Sequence, residues 1–594
     1  MPASPIPAAA IHYRVEVADL HAHLFRVTLT VAAPQPQQAL SLPVWIPGSY
    51  LVREFSKNLQ GLRASQGGAS VALVQENKQR WQVACDSAQP LQVQYEVYAN
   101  DPSVRSASLE ATRGFFNGTS LCLAVEGFTD QRCTMEIITP KMRAASARIQ
   151  CVTGLFPLNI DTDGFGVYQA ADYDELVDCP VEIGDFWSGS FEAGSVAHRF
   201  IVAGAAPSFD SQRLLADARK ICETAIAFWH GEGQPPFDSY LFMLNAVHDG
   251  YGGLEHRNST ALICARSDLP RTSAANISAA TNDGYTTLLG LISHEYFHAW
   301  NVKRLRPSEF SRYDYRQENY TELLWFFEGF TSYYDDLLLR RAGLLDDAAY
   351  LKLLSKSINQ VLQAPGRYVQ SVAQASFDAW VKFYRIDENT PNATISYYSK
   401  GALVALCLDL TLRNEGSTLD DVMRTLWQRC EGGAMAESDL RAVLQQLTGR
   451  SFDAEIDAWV HSTADLPLAQ LLAAHGVALQ PEAAQPAQRL GLRVSENHAV
   501  QIKTVLRGGL AERAGMAAGD EWLGIEVDGQ GWRLSKLEQL QLLAGDGAAI
   551  TALVSRDGRL LRLPLPLPLH QPADAASDTV ALHITDAGAV QRWL

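Results

Sequence analysis

Residues 285–300, Tyr-Thr-Thr-Leu-Leu-Gly-Leu-Ile-Ser-His-Glu-Tyr-Phe-His-Ala-Trp, constrain this chain more than any other stretch. Leu288, Leu291, Ile292, Tyr296 and Trp300 recur at helical spacing with no proline among them, which predicts a buried helix. His294 and His298, four residues apart, share one face of that helix. Polar groups buried there need partners. Two imidazoles one turn apart can hold one Zn2+, while Glu295, rotated off that face, can take a proton from a metal-bound water. Catalytic zinc sites generally use three protein ligands and keep a place for water, so a third ligand must come from elsewhere in the chain.

The next strongly helical run, residues 321–339, carries two acids. Glu328 sits among Trp325, Phe326, Phe327 and Phe330, where an unpaired carboxylate is costly and a cation would compensate it. Glu322, nearer the start of the run, reads as an exposed or capping acid, with a place behind the first ligands as the alternative. Glu328 is therefore the expected third ligand.

At 594 residues the chain implies roughly three to five domains. Its 47% hydrophobic content supports large cores. A net charge of −17 argues against nucleic acid and anionic membranes as partners, since both repel an acidic field. No run of about 18 apolar residues is present. The first ten residues lack the basic start and apolar core of a secretory signal. The nine cysteines are odd in number and scattered, with no C-x-x-C pair, as expected of reduced thiols in a cytoplasmic protein.

From residue 11 to about 200, β-branched and alternating runs such as Ile-His-Tyr-Arg-Val-Glu-Val from residue 11 predict an antiparallel sandwich or saddle. The loop at residues 43–55, Pro-Val-Trp-Ile-Pro-Gly-Ser-Tyr-Leu-Val-Arg-Glu-Phe, reads as turn and packing residues at a domain contact. A helix over residues 211–229 marks a change of domain, and residues 240–247 read as a buried strand. Gly252-Gly253-Leu254-Glu255-His256 then suggests a strand edge that a ligand backbone approaches closely, with Glu255 able to hold a protonated amine; the alternative is a Gly-rich turn with Glu255 and His256 solvated.

These motifs together resemble the gluzincin peptidases, and most specifically the glycyl aminopeptidase family. The resemblance covers nearly the whole chain and rests on the Pro-Val-Trp-Ile-Pro-Gly-Ser-Tyr loop at residues 43–50, the Gly-Gly-Leu-Glu-His stretch, the His-Glu-x-x-His motif with the Glu-Gly-Phe-Thr-Ser-Tyr run from Glu328, and the C-terminal module. It implies His294, His298 and Glu328 as ligands of one zinc per chain, Glu295 as general base, and Glu255 with Gly252, Gly253 and His256 as the binding stretch for a free α-amine. Ser-Tyr-Tyr-Ser-Lys-Gly-Ala from residue 396 is similar to the clan's Tyr-x-Lys-Gly-Ala segment, which implies Tyr398 as donor to the oxyanion, with Tyr397 as its neighbour. Two departures stand out: His256 replaces the Asn usual in the clan, and Glu328 lies thirty residues after His298, a longer spacing than usual. The inserted segment from Asn301 is rich in basic residues and reads as solvated surface, with contact to a peptide carboxylate as the alternative.

The implied fold is multidomain α+β. It comprises an N-terminal antiparallel β domain (1–200), a thermolysin-like catalytic domain (201–479, helical beyond 285), a linker (480–488) and a domain similar to bacterial PDZ domains (489–570). The last would use Leu490-Gly491-Leu492 as a carboxylate-binding loop and residues 534–543 as the groove helix, with residues 571–594 as an appendage. The expected function is a zinc aminopeptidase that releases N-terminal Gly or Ala by attack of a Glu-activated, zinc-bound water. Its partners would be a peptide with a free N-terminus and an extended peptide or protein C-terminus at the PDZ groove. The alternatives are an endopeptidase of the same clan and a catalytically vestigial PDZ scaffold.

Overall fold

Period-two alternation over residues 11–31 becomes a hairpin of Ile11–Asp19 and Leu24–Val31, whose register sets Tyr13 opposite Leu29 and Val15 opposite Val27. Phe25, Val27, Leu29 and Val31 are buried while Arg26, Thr28 and Thr30 face outward, so one face of the sheet is the core face. The structure is a computed structural model that describes residues 10–141, 149–272, 283–544, 550–565 and 579–594. It divides into a first unit, Met1–Asn319 with Cys430–Ala434, and a second, Tyr320–Arg429 with Met435–Leu594.

In the first unit the hairpin lies within an eight-stranded sheet, and two further four-stranded sheets are present. The pairing is antiparallel except where Ile11–Asp19 runs parallel to Cys133–Ile137. A second, five-stranded sheet holds β1 (Phe186–Ala193), β2 (Val196–Ala203), β3 (Ser239–Val247), β4 (Gly252–Glu255) and β5 (Ser259–Ala265) in the order β1-β2-β3-β5-β4. β2, β3 and β5 run parallel, and β4 closes the edge antiparallel to β5. The expected boundary near residue 200 thus falls inside this sheet: alternation is local and does not say which sheet a strand joins. Helix α1 (Ser211–His230) connects β2 to β3, capped by Asp210, whose carboxylate accepts from the Arg213 amide at 3.0 Å. Helix α2 (Asp283–Phe297) carries the histidine motif.

The second unit is helical up to residue 474. Helices α3 (Leu324–Phe327) and α4 (Gly329–Arg341) meet the long α6 (Tyr397–Asn414) backbone to backbone, with α5 (Asp347–Leu362) alongside. A Cβ on Gly329 would lie 2.5 Å from Gly401 Cα, so both positions require glycine for this close crossing.

Beyond it, residues read as a linker form strand Val477–Glu482, paired antiparallel with Thr579–Ile584, and a short helix, Pro486–Leu490. Proline explains the difference: Pro486 opens a helix, where its missing amide costs nothing, and Pro481 is accepted in a two-stranded sheet. The tail read as an appendage supplies strand Thr579–Ile584 and helix Ala587–Trp593, with Trp593 buried; residues 571–578 lie outside the described residues. Residues 492–565 form a six-stranded antiparallel sheet around Trp522, Ile525, Ala552 and Val554. Among the described residues no helix is long and apolar enough to cross a membrane.

Candidate active site

Helix α2 is held on the five-stranded sheet by its own aromatic residues. Tyr296, in the middle of the histidine motif, packs edge-on against Tyr240 at 4.8 Å between ring centres. Its hydroxyl lies 2.8 Å from Nε2 of His198 on β2. Burial lowers the His198 pKa to about 4, so this imidazole is neutral. Trp300 donates from its indole to His230 Nε2 at 2.7 Å.

His298 sits one residue past the helix, yet its amide still bonds the His294 carbonyl at 3.2 Å, so the i,i+4 relation is kept. The two Nε2 atoms lie 3.0 Å apart, with the rings nearly perpendicular. His298 Nδ1 lies 2.7 Å from the Asn301 carbonyl oxygen. A carbonyl only accepts, so Nδ1 carries the hydrogen and Nε2 keeps its lone pair for a ligand. A tetrahedral zinc would set two such nitrogens about 3.3 Å apart, so this donor pair fits the ion.

Glu255, Glu295 and His298 offer ligand atoms that all lie within 4.8 Å of one another. The edge strand β4 makes this possible. A Cβ on Gly253 would meet Glu295 Oε1 at 2.0 Å, so glycine alone lets β4 lie against the carboxylate. Gly252 has no such crowding; its nearest neighbour is Arg105, which also donates to the Gly253 carbonyl at 3.3 Å. Glu255 is 4% exposed, and among the described residues no donor reaches its Oε1. A buried carboxylate oxygen without a donor marks a place for a cationic ligand.

His256 is buried, with Nδ1 3.2 Å from Asp178 of the N-terminal region. Asp178 Oδ1 also accepts from Lys303 at 2.6 Å, and Oδ2 from the Arg257 amide at 2.9 Å. Against the burial that would raise it, Lys303 first, then His256 and Arg257, hold this carboxyl well below the usual range. The same pairing raises Lys303 against its own burial. The basic segment after Asn301 is therefore not solvated surface. Lys303 is 2% exposed, and Arg304 is spent on the carbonyls of Arg257, Ala299 and Pro236. Burial brings Arg304 to about 10. Between Asn301 and Lys303, Val302 is held at φ 125°, a strained conformation for a β-branched residue. Sequence reasoning missed Asp178 and Lys303 because their pairing spans 125 residues. The signal at hand was a lysine with Val302 before it, Leu305 two residues after it and Trp300 three before it.

The remaining predicted residues lie in the second unit. Glu328 is buried, and Glu322 is exposed, as the sequence reading of it as an exposed or capping acid expects. Tyr398 is pushed well above the usual phenol range by burial and then by the charge of Glu328. The Gly329–Gly401 crossing brings their two helices together. Tyr397 stacks on Tyr398 at 4.8 Å, and the hydroxyls of Tyr384 and Tyr398 lie 3.5 Å apart.

Residues 12–185 match the Peptidase M61 N-terminal domain, and residues 287–404 match M61 glycyl aminopeptidase. Among solved structures, an aminopeptidase N family protein from Idiomarina loihiensis is 38% identical. It covers 98% of this chain and 100% of its own, with a TM-score of 0.91. An M1 zinc metallopeptidase from Deinococcus radiodurans is 15% identical over 77% of this chain and 94% of its own, with a TM-score of 0.46. Legionella pneumophila aminopeptidase A is 11% identical over 81% and 51%, with a TM-score of 0.49. No curated protein matches. On the two M61 matches and an identity of 38% sustained over nearly its full length, the chain belongs to the M61 glycyl aminopeptidase family and is a metallo-aminopeptidase, a hydrolase of peptide bonds.

Proposed function

We propose that the protein is a zinc-dependent aminopeptidase that releases N-terminal Gly or Ala from peptides, with one zinc per chain held by His294, His298 and Glu328. The convergence of Glu255, Glu295 and His298 within 4.8 Å is the observation that carries this reading. When bound, zinc would supply Lewis-acid polarisation of the scissile carbonyl and acidify a water. Glu295 takes the proton of the attacking water and passes it to the departing amine. Tyr398 donates to the carbonyl oxygen as negative charge develops; its raised pKa keeps the phenol protonated for that purpose. Glu255 receives the α-ammonium and so measures one residue from the chain end. Gly252 and Gly253 run beside the substrate backbone, and His256, tied to Asp178, holds that strand in place.

We assign residues 489–570 to a PDZ-type module. Its support is an edge strand, Leu492–Glu496, and a helix, Gln539–Ala544, joined by the Leu537 amide donating to Glu496 at 2.7 Å. An extended peptide would add to that edge.

Hydrolysis of Ala or Gly anilide against the N-acetylated twin tests the main reading, with wild type and Glu295→Gln and metal quantified in both. Cleavage of the free amine alone is expected, with Glu295→Gln at least about a hundredfold slower and its zinc retained. Equal cleavage of the blocked twin would replace the aminopeptidase reading with an endopeptidase.

A further inference from the structure

The loop at residues 43–55 reads from sequence as packing, yet its turn lies on the carboxylate of Glu255. Gly48 has φ +89°, and a Cβ built there would stand 2.5 Å from both Glu255 oxygens and 2.7 Å from the carboxyl carbon. Its backbone therefore covers one side of the carboxylate in van der Waals contact.

The loop is anchored throughout. Trp45, fully buried, donates from its indole to the Asp314 carbonyl at 2.9 Å, and the Val44 amide bonds the Tyr315 carbonyl at 2.8 Å. The Ser49 amide closes the turn onto the Ile46 carbonyl at 3.0 Å. Arg53 donates to the Ser49 hydroxyl at 2.6 Å, and Tyr50 stacks on Phe310. A turn fixed at this many points cannot yield when pushed.

We propose that this loop is the back wall of the amine subsite, and that Gly48 is the residue restricting it to a primary α-ammonium. The inference rests on Glu255 holding the substrate amine. A secondary amine would need the carboxylate to withdraw to make room for the added methyl, and Gly48 occupies the space into which it would withdraw. The ligand class is thus an unsubstituted N-terminal ammonium, and N-alkylated chain ends are rejected along with acylated ones.

The test compares Gly anilide, its N-methyl (sarcosine) counterpart and its N-acetyl counterpart on the wild-type protein. It then repeats Gly anilide with Gly48→Ala, Glu255→Asp and the double variant, recording zinc content and Tm for each. The N-methyl substrate should lose about tenfold or more in kcat/KM, a methyl being enough to cost that where nothing can move. Gly48→Ala should raise KM about tenfold with zinc retained. The same change should cost less in the Glu255→Asp background, where the carboxylate is one carbon shorter. Strain from the left-handed φ would weigh equally in both backgrounds, so the coupling isolates the contact with Glu255. Sarcosine anilide cleaved as fast as Gly anilide would overturn the proposal even if Gly48→Ala failed to fold, and so would equal costs in the two backgrounds. Cleavage of the acetylated substrate would instead bring down the aminopeptidase reading itself, whereas a free-amine requirement that tolerates N-methyl would leave that reading standing without Gly48.

Discussion

At the scale of single residues, Asp178 organises more than its distance in sequence suggests. One carboxylate meets His256 and the Arg257 amide, next to Glu255, and also Lys303, just beyond the Asn301 carbonyl that orients His298. Breaking a buried pair strands the remaining charge, whereas removing both charges does not. Asp178→Ala should therefore destabilise the protein by about 3–5 kcal/mol in urea unfolding. Asp178→Ala with Lys303→Met should cost clearly less than the single change. If the single change cost no more than a surface substitution, Lys303 would not depend on Asp178. His294, Glu295 and His298 were legible because their pattern is a local, helix-spaced one, and Glu328 because a carboxylate among four aromatic residues stands out in sequence. Asp178 and Lys303 were not legible, because an ion pair between remote residues leaves no periodic trace.

At the scale of elements, the two glycines in the motifs around Glu328 and Tyr398 have a common cause. Gly329 follows Glu328 by one residue, Gly401 follows Tyr398 by three, and their helices touch there through backbone atoms. A Cβ on Gly401 would stand 2.5 Å from the Trp325 carbonyl oxygen. Gly401→Ala should wedge the helices apart, costing about 1–3 kcal/mol of stability. It should also lower kcat, because Tyr398 lies on the neighbouring turn; thermal melts and kinetics on the purified variant check both. Helix boundaries were largely readable: residues 211–229 were expected and Ser211–His230 is found. The strand expected over residues 240–247 is found as Ser239–Val247, whereas Ser259–Ala265 was not read from the sequence, nor was the sheet these strands share, since hydrogen-bond partners are chosen by tertiary packing.

At the scale of the whole molecule, two features tie distant parts of the chain into its units. His198 is buried and neutral, its pKa of about 4 lying below the ordinary 6.5. As pH falls the unfolded chain takes up this proton first. The stability it contributes is thus fully present above about 6.5 and is lost as pH drops from there to about 4. His198→Gln should flatten that limb of the stability curve by roughly 2–3 kcal/mol, read from urea midpoints across the window. The second feature is the C-terminal segment. Asn359 on α5 bonds both the amide and the carbonyl of Val580 at 2.8 Å, and Trp593 packs edge-on against Tyr350. Deleting residues 579–594 uncovers that face of α5 and leaves strand Val477–Glu482 without its partner, so a lower Tm is expected by calorimetry. An unchanged Tm would show that the segment adds nothing.

The sequence by itself determined the chemistry available to this protein. His294 and Glu295 lie at the end of one helix with His298 one residue past it, still bonded to the His294 carbonyl, because helical geometry is local, and the acidic, cysteine-scattered composition narrowed the classes of partner. Tertiary structure alone decided what surrounds that chemistry. It set the Gly48 turn against Glu255, buried Lys303 on Asp178, and spent the proline-rich stretch from residue 480 on a strand and a helix. The physical reason is range: backbone propensity and side-chain spacing act over a few residues, whereas close contacts between remote segments depend on which surfaces the whole chain buries together.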